Sequence, residues 1–175
     1  DVIGVNARLV LPELVMLIPA FLYVTYMKPA SLKETYYDFP QIGVCALIIV
    51  FTWLLMPSVS LINTLSSLFV ENQVEATFSV LSENSLAANL ITLAVIPAIC
   101  EEYIFRGIIF GSYKRRNPFK AVILSSLLFG LIHMNVNQFI YAFIMGCIFC
   151  LLVYATNTVM SSILAHMFFN GYNVI

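Results

Sequence analysis

Long apolar stretches alternate with short polar connectors along the whole chain. A bilayer core of about 30 Å is crossed by roughly 20 mostly apolar residues in a helix, and six stretches approach or exceed that length. Pro57 lies inside the second stretch, which predicts either one kinked helix or a span followed by an interfacial piece. The pattern predicts an all-α, polytopic transmembrane helix bundle. Its spanning helices are expected near residues 9–27, 41–70, 87–111, 119–134, 138–156 and 158–175.

The composition agrees with a membrane protein and excludes one class of partner. The 175 residues are 61% hydrophobic and only 10% charged, whereas a soluble domain carries about a quarter charged residues. Eight Lys and Arg nearly balance nine Asp and Glu, so the chain lacks the basic surface that holds a nucleic-acid backbone. The predicted partner is therefore the lipid bilayer, with no nucleic acid. The sequence begins with Asp1 instead of Met, and we expect it to be a fragment of a longer protein.

The charges of the connectors predict an orientation in the cell membrane. Connectors 28–40 and 111–120 are basic, whereas 71–85 holds glutamates without Lys or Arg. If 41–70 crosses once, both basic loops fall on one side, which the enrichment of Lys and Arg in cytoplasmic loops identifies as the cytoplasm. The basic residues are Lys28, Lys33, Lys114, Arg115, Arg116 and Lys120, and the acidic ones are Glu71, Glu75 and Glu83.

Charged residues inside the predicted spans are concentrated in the third one. A charge at the centre of a spanning helix costs at least about 2.5–3.5 kcal/mol, so Glu101, Glu102 and Arg106 require specific partners. Glu102 and Arg106 are four residues apart and share a helix face, where they can neutralise each other. Glu101 points about 100° away and must find a partner elsewhere in the bundle or bind a proton. Glu13 lies near a span end, and we expect it to reach the interface without a chemical role.

The only two histidines are also predicted to lie in spans. His166 and Asn170 are four residues apart, which places an imidazole and an amide on one helix face. A rise of about 1.5 Å per residue places Glu101, His133 and His166 near the middle of the bilayer. The sequence therefore predicts one buried polar site. The alternative is a network that only holds helices together, but polar contacts between membrane helices contribute only about 0.6–2 kcal/mol each.

Three motifs occur in a fixed order along these helices. They are EEYIFR at 101–106, FGLIH at 129–133 and HMFFN at 166–170. This set resembles the CPBP family of CAAX proteases and bacteriocin-processing enzymes, also known by its Abi domain, whose signature is EExxxR, FxxxH and HxxxN. The resemblance covers residues 86–175, interpreted as the catalytic core, and residues 1–85 are interpreted as N-terminal transmembrane helices and loops.

The resemblance implies an intramembrane endopeptidase related to the type II CAAX prenyl endopeptidase. It assigns Glu101 and His133 to activation of a water that attacks the scissile carbonyl group. It assigns His166 and Asn170 to stabilisation of the oxyanion. The substrate it implies is a membrane-associated protein or peptide, cleaved in CAAX-type processing or in bacteriocin maturation and self-immunity.

The same residues leave the catalytic type open between two chemistries. The resemblance gives Glu102 and Arg106 an orienting and charge-balancing role in a metal-independent glutamate protease, which needs no cofactor. Two histidines and a glutamate are also the ligand set of many catalytic zinc sites, here Glu101, His133 and His166. Adjacent glutamates on a regular helix cannot both point at one ion, which favours the metal-independent interpretation.

Two functions without proteolysis are the alternatives. A non-catalytic membrane partner, such as a bacteriocin-immunity protein or a scaffold, could keep the family fold without hydrolysing anything. A transporter or proton relay would also use buried Glu and His residues. The sequence shows no pair of Gly/Pro-interrupted helices in inverted repeat, which disfavours the transporter.

Overall fold

A computed structural model describes residues 2–27, 36–70 and 85–175 of the chain. These ranges contain six helices and no strand, which confirms the predicted all-α bundle. The helix from 86 to 113, here α3, is continuous but changes its winding along its length. The other helices are α1 (Val2–Met27), α2 (Ile42–Ser67), α4 (Pro118–Leu131), α5 (Val136–Thr156) and α6 (Met160–Val174).

Long apolar helices fit the expected membrane setting. Within the described ranges, Ala7–Met27, Ile42–Ser67 and Val136–Thr156 are long and apolar enough to cross a bilayer, and Pro118–Leu131 is a shorter apolar helix. Helix α2 runs through Pro57 without ending, so the second stretch is a single helix. Its outer face is strongly apolar, as lipid contact requires. The predicted connectors at Lys28, Lys33, Glu71, Glu75 and Glu83 lie outside the described residues.

Helix α3 alternates between α-helical and π-helical winding. Its Ile91–Val95 and Tyr103–Phe110 stretches are π-helical, and Ile96–Glu102 between them is α-helical. Wider π-helical turns are rare and occur frequently at functional sites. A hydrogen bond joins the second π-helical stretch to α4. Ser125 Oγ donates to the Phe105 carbonyl oxygen over 2.8 Å.

Close approach of α4 and α5 depends on a glycine. A Cβ atom on Gly146 would lie 3.0 Å from both Cα and Cβ of Ser126, closer than packed carbon atoms normally come. It would also lie 3.2 Å from Arg106 Nη2. Small residues at such crossings let membrane helices pack backbone to backbone. Gly146 therefore leaves room for the Arg106 side chain between α3, α4 and α5.

The segment before α2, residues 36–41, contacts the turn between α5 and α6. The Val159 amide donates to the Tyr36 carbonyl oxygen over 3.0 Å, and Thr158 Oγ1 donates to the Asp38 carbonyl oxygen over 2.7 Å. The Tyr37 hydroxyl packs so closely on α3 that a Cβ on Gly107 would lie 2.5 Å from it. Partial burial, with a smaller effect of the Tyr103 phenol, raises the pKa of Tyr37 to about 12, so its hydroxyl stays uncharged at neutral pH. This segment fixes the turn between α5 and α6, and thus the start of α6.

Candidate active site

A buried ion pair forms the base of the site. Arg106 Nη1 donates to Glu102 Oε1 over 2.8 Å, and neither side chain is exposed to solvent. Arg106 Nη2 donates to the Gly146 carbonyl oxygen over 3.1 Å. The guanidinium carbon lies 4.3 Å from the centroid of the Phe129 ring and 5.1 Å from that of Phe149. The predicted pairing of Glu102 with Arg106 is confirmed, and the ring contacts and hydrogen bonds hold its charge in place.

The same carboxylate orients His166 of α6. His166 Nδ1 lies 2.9 Å from Glu102 Oε1, and because a carboxylate only accepts, Nδ1–H is the donor. In the neutral ring Nε2 is then the acceptor, and it lies 3.2 Å from the Asn170 amide nitrogen. The Asn170 amide also donates to the Leu93 carbonyl oxygen over 3.0 Å. Tautomer and orientation of His166 are therefore set by its neighbours on both sides.

Glu101 finds its partner on a different helix. The side chains of Glu101 and Glu13 form a hydrogen bond between α3 and α1. Glu101 Oε2 also lies 3.7 Å from His166 Nε2. The expectation that Glu13 reaches the membrane interface is thus wrong, because α1 packs against the Ile96–Glu102 stretch and turns Glu13 toward the site. One signal pointed to it, since Glu13 is the only acidic residue in the mostly apolar helix α1.

His133 lies in a turn instead of a spanning helix. The predicted span 119–134 ends earlier, since α4 stops at Leu131, and Met134 takes a positive φ of 49° as the chain turns toward α5. His133 Nδ1 lies 2.9 Å from the Phe129 carbonyl oxygen, which only accepts, so Nε2 is the acceptor of the neutral ring. The Phe129 ring contacts both imidazoles, with centroid distances of 5.3 Å to His133 and 5.7 Å to His166.

A single cavity joins these groups. It has a volume of about 950 Å³, and part of its wall is apolar, formed by side chains of α2 such as Trp53. Four of the six residues predicted for the site line it, and the two members of the ion pair lie buried behind the lining. The lining residues are Glu101, His133, His166 and Asn170, and Glu13 lines the same cavity.

The arrangement does not match the zinc alternative. Among the described residues, no three His, Cys, Asp or Glu side chains are placed to hold a metal ion together. Of the three predicted ligands, His166 has Nδ1 bound to Glu102 and Nε2 close to the Asn170 amide. Glu101 is hydrogen bonded to Glu13. As placed, His166 and Glu101 therefore already have other partners in a hydrogen-bonded network.

The second half of the chain matches a known protein family. Residues 83–172 match the family described as type II CAAX prenyl endopeptidase Rce1-like. A protein of Bacillus subtilis (strain 168) named "Putative membrane peptidase YdiL" is 36% identical over 87 residues, which are 49% of this chain and 36% of that protein. The match thus spans about a third of the relative's length. No solved structure matches the chain. All six predicted site residues lie inside the family match, and Glu13 lies outside it.

Proposed function

The chain belongs to the Rce1-like family of type II CAAX prenyl endopeptidases, and from this we propose that it is an intramembrane endopeptidase acting on membrane-associated proteins or peptides. The observation that carries this proposal is the shared cavity of Glu101 and His133, which presents a carboxylate and an imidazole Nε2 in a largely apolar setting. Two proton acceptors facing one cavity suit hydrolysis, since water becomes a nucleophile when a base removes its proton.

In the proposed first step, a water molecule in the cavity attacks the scissile carbonyl carbon. Glu101 takes a proton from this water, and His133 Nε2 holds the water by accepting its other hydrogen. Carboxylates in a low-dielectric cavity are stronger bases than in water, so the apolar wall assists the step. The Nδ1–H bond of His133 to the Phe129 carbonyl oxygen supports this role because it keeps Nε2 free of hydrogen in the neutral ring.

Residues of α6 stabilise the negative charge that develops on the substrate oxygen. In the resting site the Asn170 amide donates to His166 Nε2 and to the Leu93 carbonyl oxygen. We propose that the substrate oxygen replaces His166 Nε2 as acceptor. Glu101 Oε2 lies 3.7 Å from Nε2 and passes to it the proton taken from the water, and His166 donates from Nε2 until the C=O bond re-forms and the proton returns to Glu101. Glu102 stabilises the resulting imidazolium through Nδ1, as a carboxylate does for histidines in hydrolases. The proposed mechanism uses no metal ion.

The apolar wall supports a choice of substrate class. Trp53, Leu54 and Met56 of α2 line the cavity together with the polar residues of α3 and α6. Such a wall accepts apolar side chains or a lipid-modified segment more readily than charged peptide. We therefore propose substrates that reach the site from the bilayer, as in CAAX-type processing or bacteriocin maturation.

The orientation proposed for the multi-pass chain places connectors 28–40 and 111–120 in the cytoplasm, because both are basic. Single cysteines introduced at Lys33 and Lys120 should react with a membrane-impermeant thiol reagent only after the cells are opened. Labelling of either position in intact cells would reverse the orientation.

The first experiment compares peptides released from membranes containing the longest available form of the protein and its variants. Glu101→Ala and Glu101→Gln should both abolish release of specific peptides. Asp38 is exposed in the segment before α2, and Asp38→Asn should leave the release unchanged. Peptide release that persists in Glu101→Ala would overturn the peptidase proposal. Full biological function of Glu101→Gln without any peptide release would favour a non-catalytic membrane partner.

A further inference from the structure

Glu13 is a half-buried carboxyl group of the site that lies outside both the sequence motifs and the family match. Its hydrogen bond to Glu101 connects two carboxyl groups on different helices. An ionised carboxylate can only accept a hydrogen bond, so this contact requires a proton on one of the two groups. Two adjacent carboxyl groups in a low-dielectric site share one proton and carry one negative charge between them.

Neither Arg106 nor His166 balances a second negative charge on Glu13 and Glu101. Arg106 is bound to Glu102 and to the Gly146 carbonyl oxygen, and both side chains of that ion pair are fully buried. His166 lies 3.7 Å from Glu101 through Nε2, the nitrogen that accepts in the neutral ring. One shared proton therefore halves the uncompensated charge that the pair would carry if both carboxyl groups were ionised.

The carboxyl group of Glu13 reaches the cavity in which the substrate is proposed to bind. Glu13 lines this cavity together with both histidines and is only partly buried, whereas its Oε2 is buried and has no hydrogen-bond donor among the described residues. A buried polar atom without a partner requires an explanation, and the proton shared with Glu101 supplies one. The position beside Glu101 brings this carboxyl group to the place where water attack and bond cleavage are proposed.

We propose that Glu13 is a second catalytic carboxyl group, which holds the shared proton and gives it to the leaving nitrogen; the assignment rests on the proposed peptidase function. The water oxygen bonds to the carbonyl carbon, one water proton passes to Glu101, and the carbonyl oxygen takes the electron pair. When the C=O bond re-forms, the C–N bond breaks, and its electron pair on nitrogen takes the proton of Glu13. The proton gained by Glu101 restores the shared state, and the products are a carboxylic acid and an amine.

Infrared spectroscopy of the purified full chain in lipid nanodiscs tests the shared proton without any substrate. The wild type should show the C=O stretch of a protonated carboxyl group at neutral pH. Glu13→Gln and Glu101→Gln should each remove this band, because an amide can donate to the remaining ionised carboxylate without a proton between them. Asp38→Asn serves as control and should retain the band. A wild-type spectrum without the band, or a band that survives both Gln variants, would overturn the proposal.

A leaving-group comparison tests the donor role. The substrate is the peptide identified by the membrane comparison, made once with its scissile amide and once with a nitrophenyl ester whose leaving group departs without a proton. Glu13→Gln should lower kcat for the amide by about 10²–10⁴-fold and leave kcat for the ester within a few-fold of wild type. Glu101→Gln should abolish cleavage of both substrates. Unchanged amide cleavage, or equal losses on both substrates, would overturn the donor role.

The two tests separate failure of this inference from failure of the proposed function. A wild-type chain that cleaves the amide while Glu13→Gln cleaves it equally well keeps the peptidase and removes Glu13 from the mechanism. A wild-type chain that cleaves neither substrate removes the peptidase, and the donor role with it, even where the infrared band is present.

Discussion

His166 Nδ1 lies 2.9 Å from Glu102 Oε1, in the interior of the bundle where neither side chain is more than a few per cent exposed. The opposite nitrogen of the same ring, Nε2, lies 3.7 Å from Glu101 Oε2. Two glutamates that are adjacent in sequence thus reach opposite edges of one imidazole. Glu102 fixes the orientation of the ring, and Glu101 lies beside its second nitrogen, at the cavity.

This contact predicts the tautomers of both histidines. Because Glu102 and the Phe129 carbonyl oxygen only accept, the neutral rings of His166 and His133 should both carry their hydrogen on Nδ1. Nitrogen NMR of protein labelled only at histidine can resolve this directly, since the chain has two histidines. His133→Ala assigns the signals. Glu102→Gln should change the His166 signals and leave those of His133 in place, and an Nε2–H tautomer at His166 would contradict the geometry.

The buried ion pair predicts a non-additive loss of stability. Arg106→Met leaves the Glu102 carboxylate buried without its cation, so the free energy of unfolding should fall by about 3–5 kcal/mol. The double variant Arg106→Met, Glu102→Gln removes both charges and should be less destabilised than the single variant. Unfolding of detergent-solubilised protein measures both, with Lys120→Met at an exposed position as control. Additive losses would show that the two side chains do not depend on each other.

The contact between α4 and α5 predicts a difference between two glycines. Gly146→Ala places a methyl group 3.0 Å from the Ser126 backbone and should reduce the free energy of unfolding by about 1–3 kcal/mol. Gly43→Ala, also within a helix, meets nothing within 4 Å and should be neutral or slightly stabilising. Thermal unfolding of the two variants side by side checks the prediction. Equal behaviour of both would mean that α4 and α5 can separate without cost.

The hydrogen-bonded network predicts that cleavage does not depend on a metal. Treatment with a zinc chelator, followed by its removal, should leave the rate of peptide release unchanged, because the imidazole nitrogens of His166 already lie against Glu102 and Asn170. The control is a zinc peptidase of known chelator sensitivity in the same membranes. Activity that is lost with the chelator and restored by added Zn²⁺ would instead support Glu101, His133 and His166 as ligands.

The sequence by itself determined the helical class and the contacts within single helices. Apolar stretches long enough for a bilayer predict the helices, because a backbone in lipid must satisfy its hydrogen bonds internally. The pairs Glu102 with Arg106 and His166 with Asn170 follow from the helical repeat, since residues four apart share a face. Such contacts depend on spacing along the chain and can be read without knowing how the helices pack.

Only the tertiary structure decided the contacts between helices. The partner of Glu101 is Glu13, 88 positions earlier, and no periodicity connects them. The π-helical winding of Tyr103–Phe110 and the turn that holds His133 likewise depend on how α3, α4 and α5 pack. Packing between helices is set by the shapes of many side chains at once, including the space that Gly146 leaves for Arg106. A sequence pattern therefore predicts that a buried carboxylate needs a partner, and the packed bundle determines which residue that partner is.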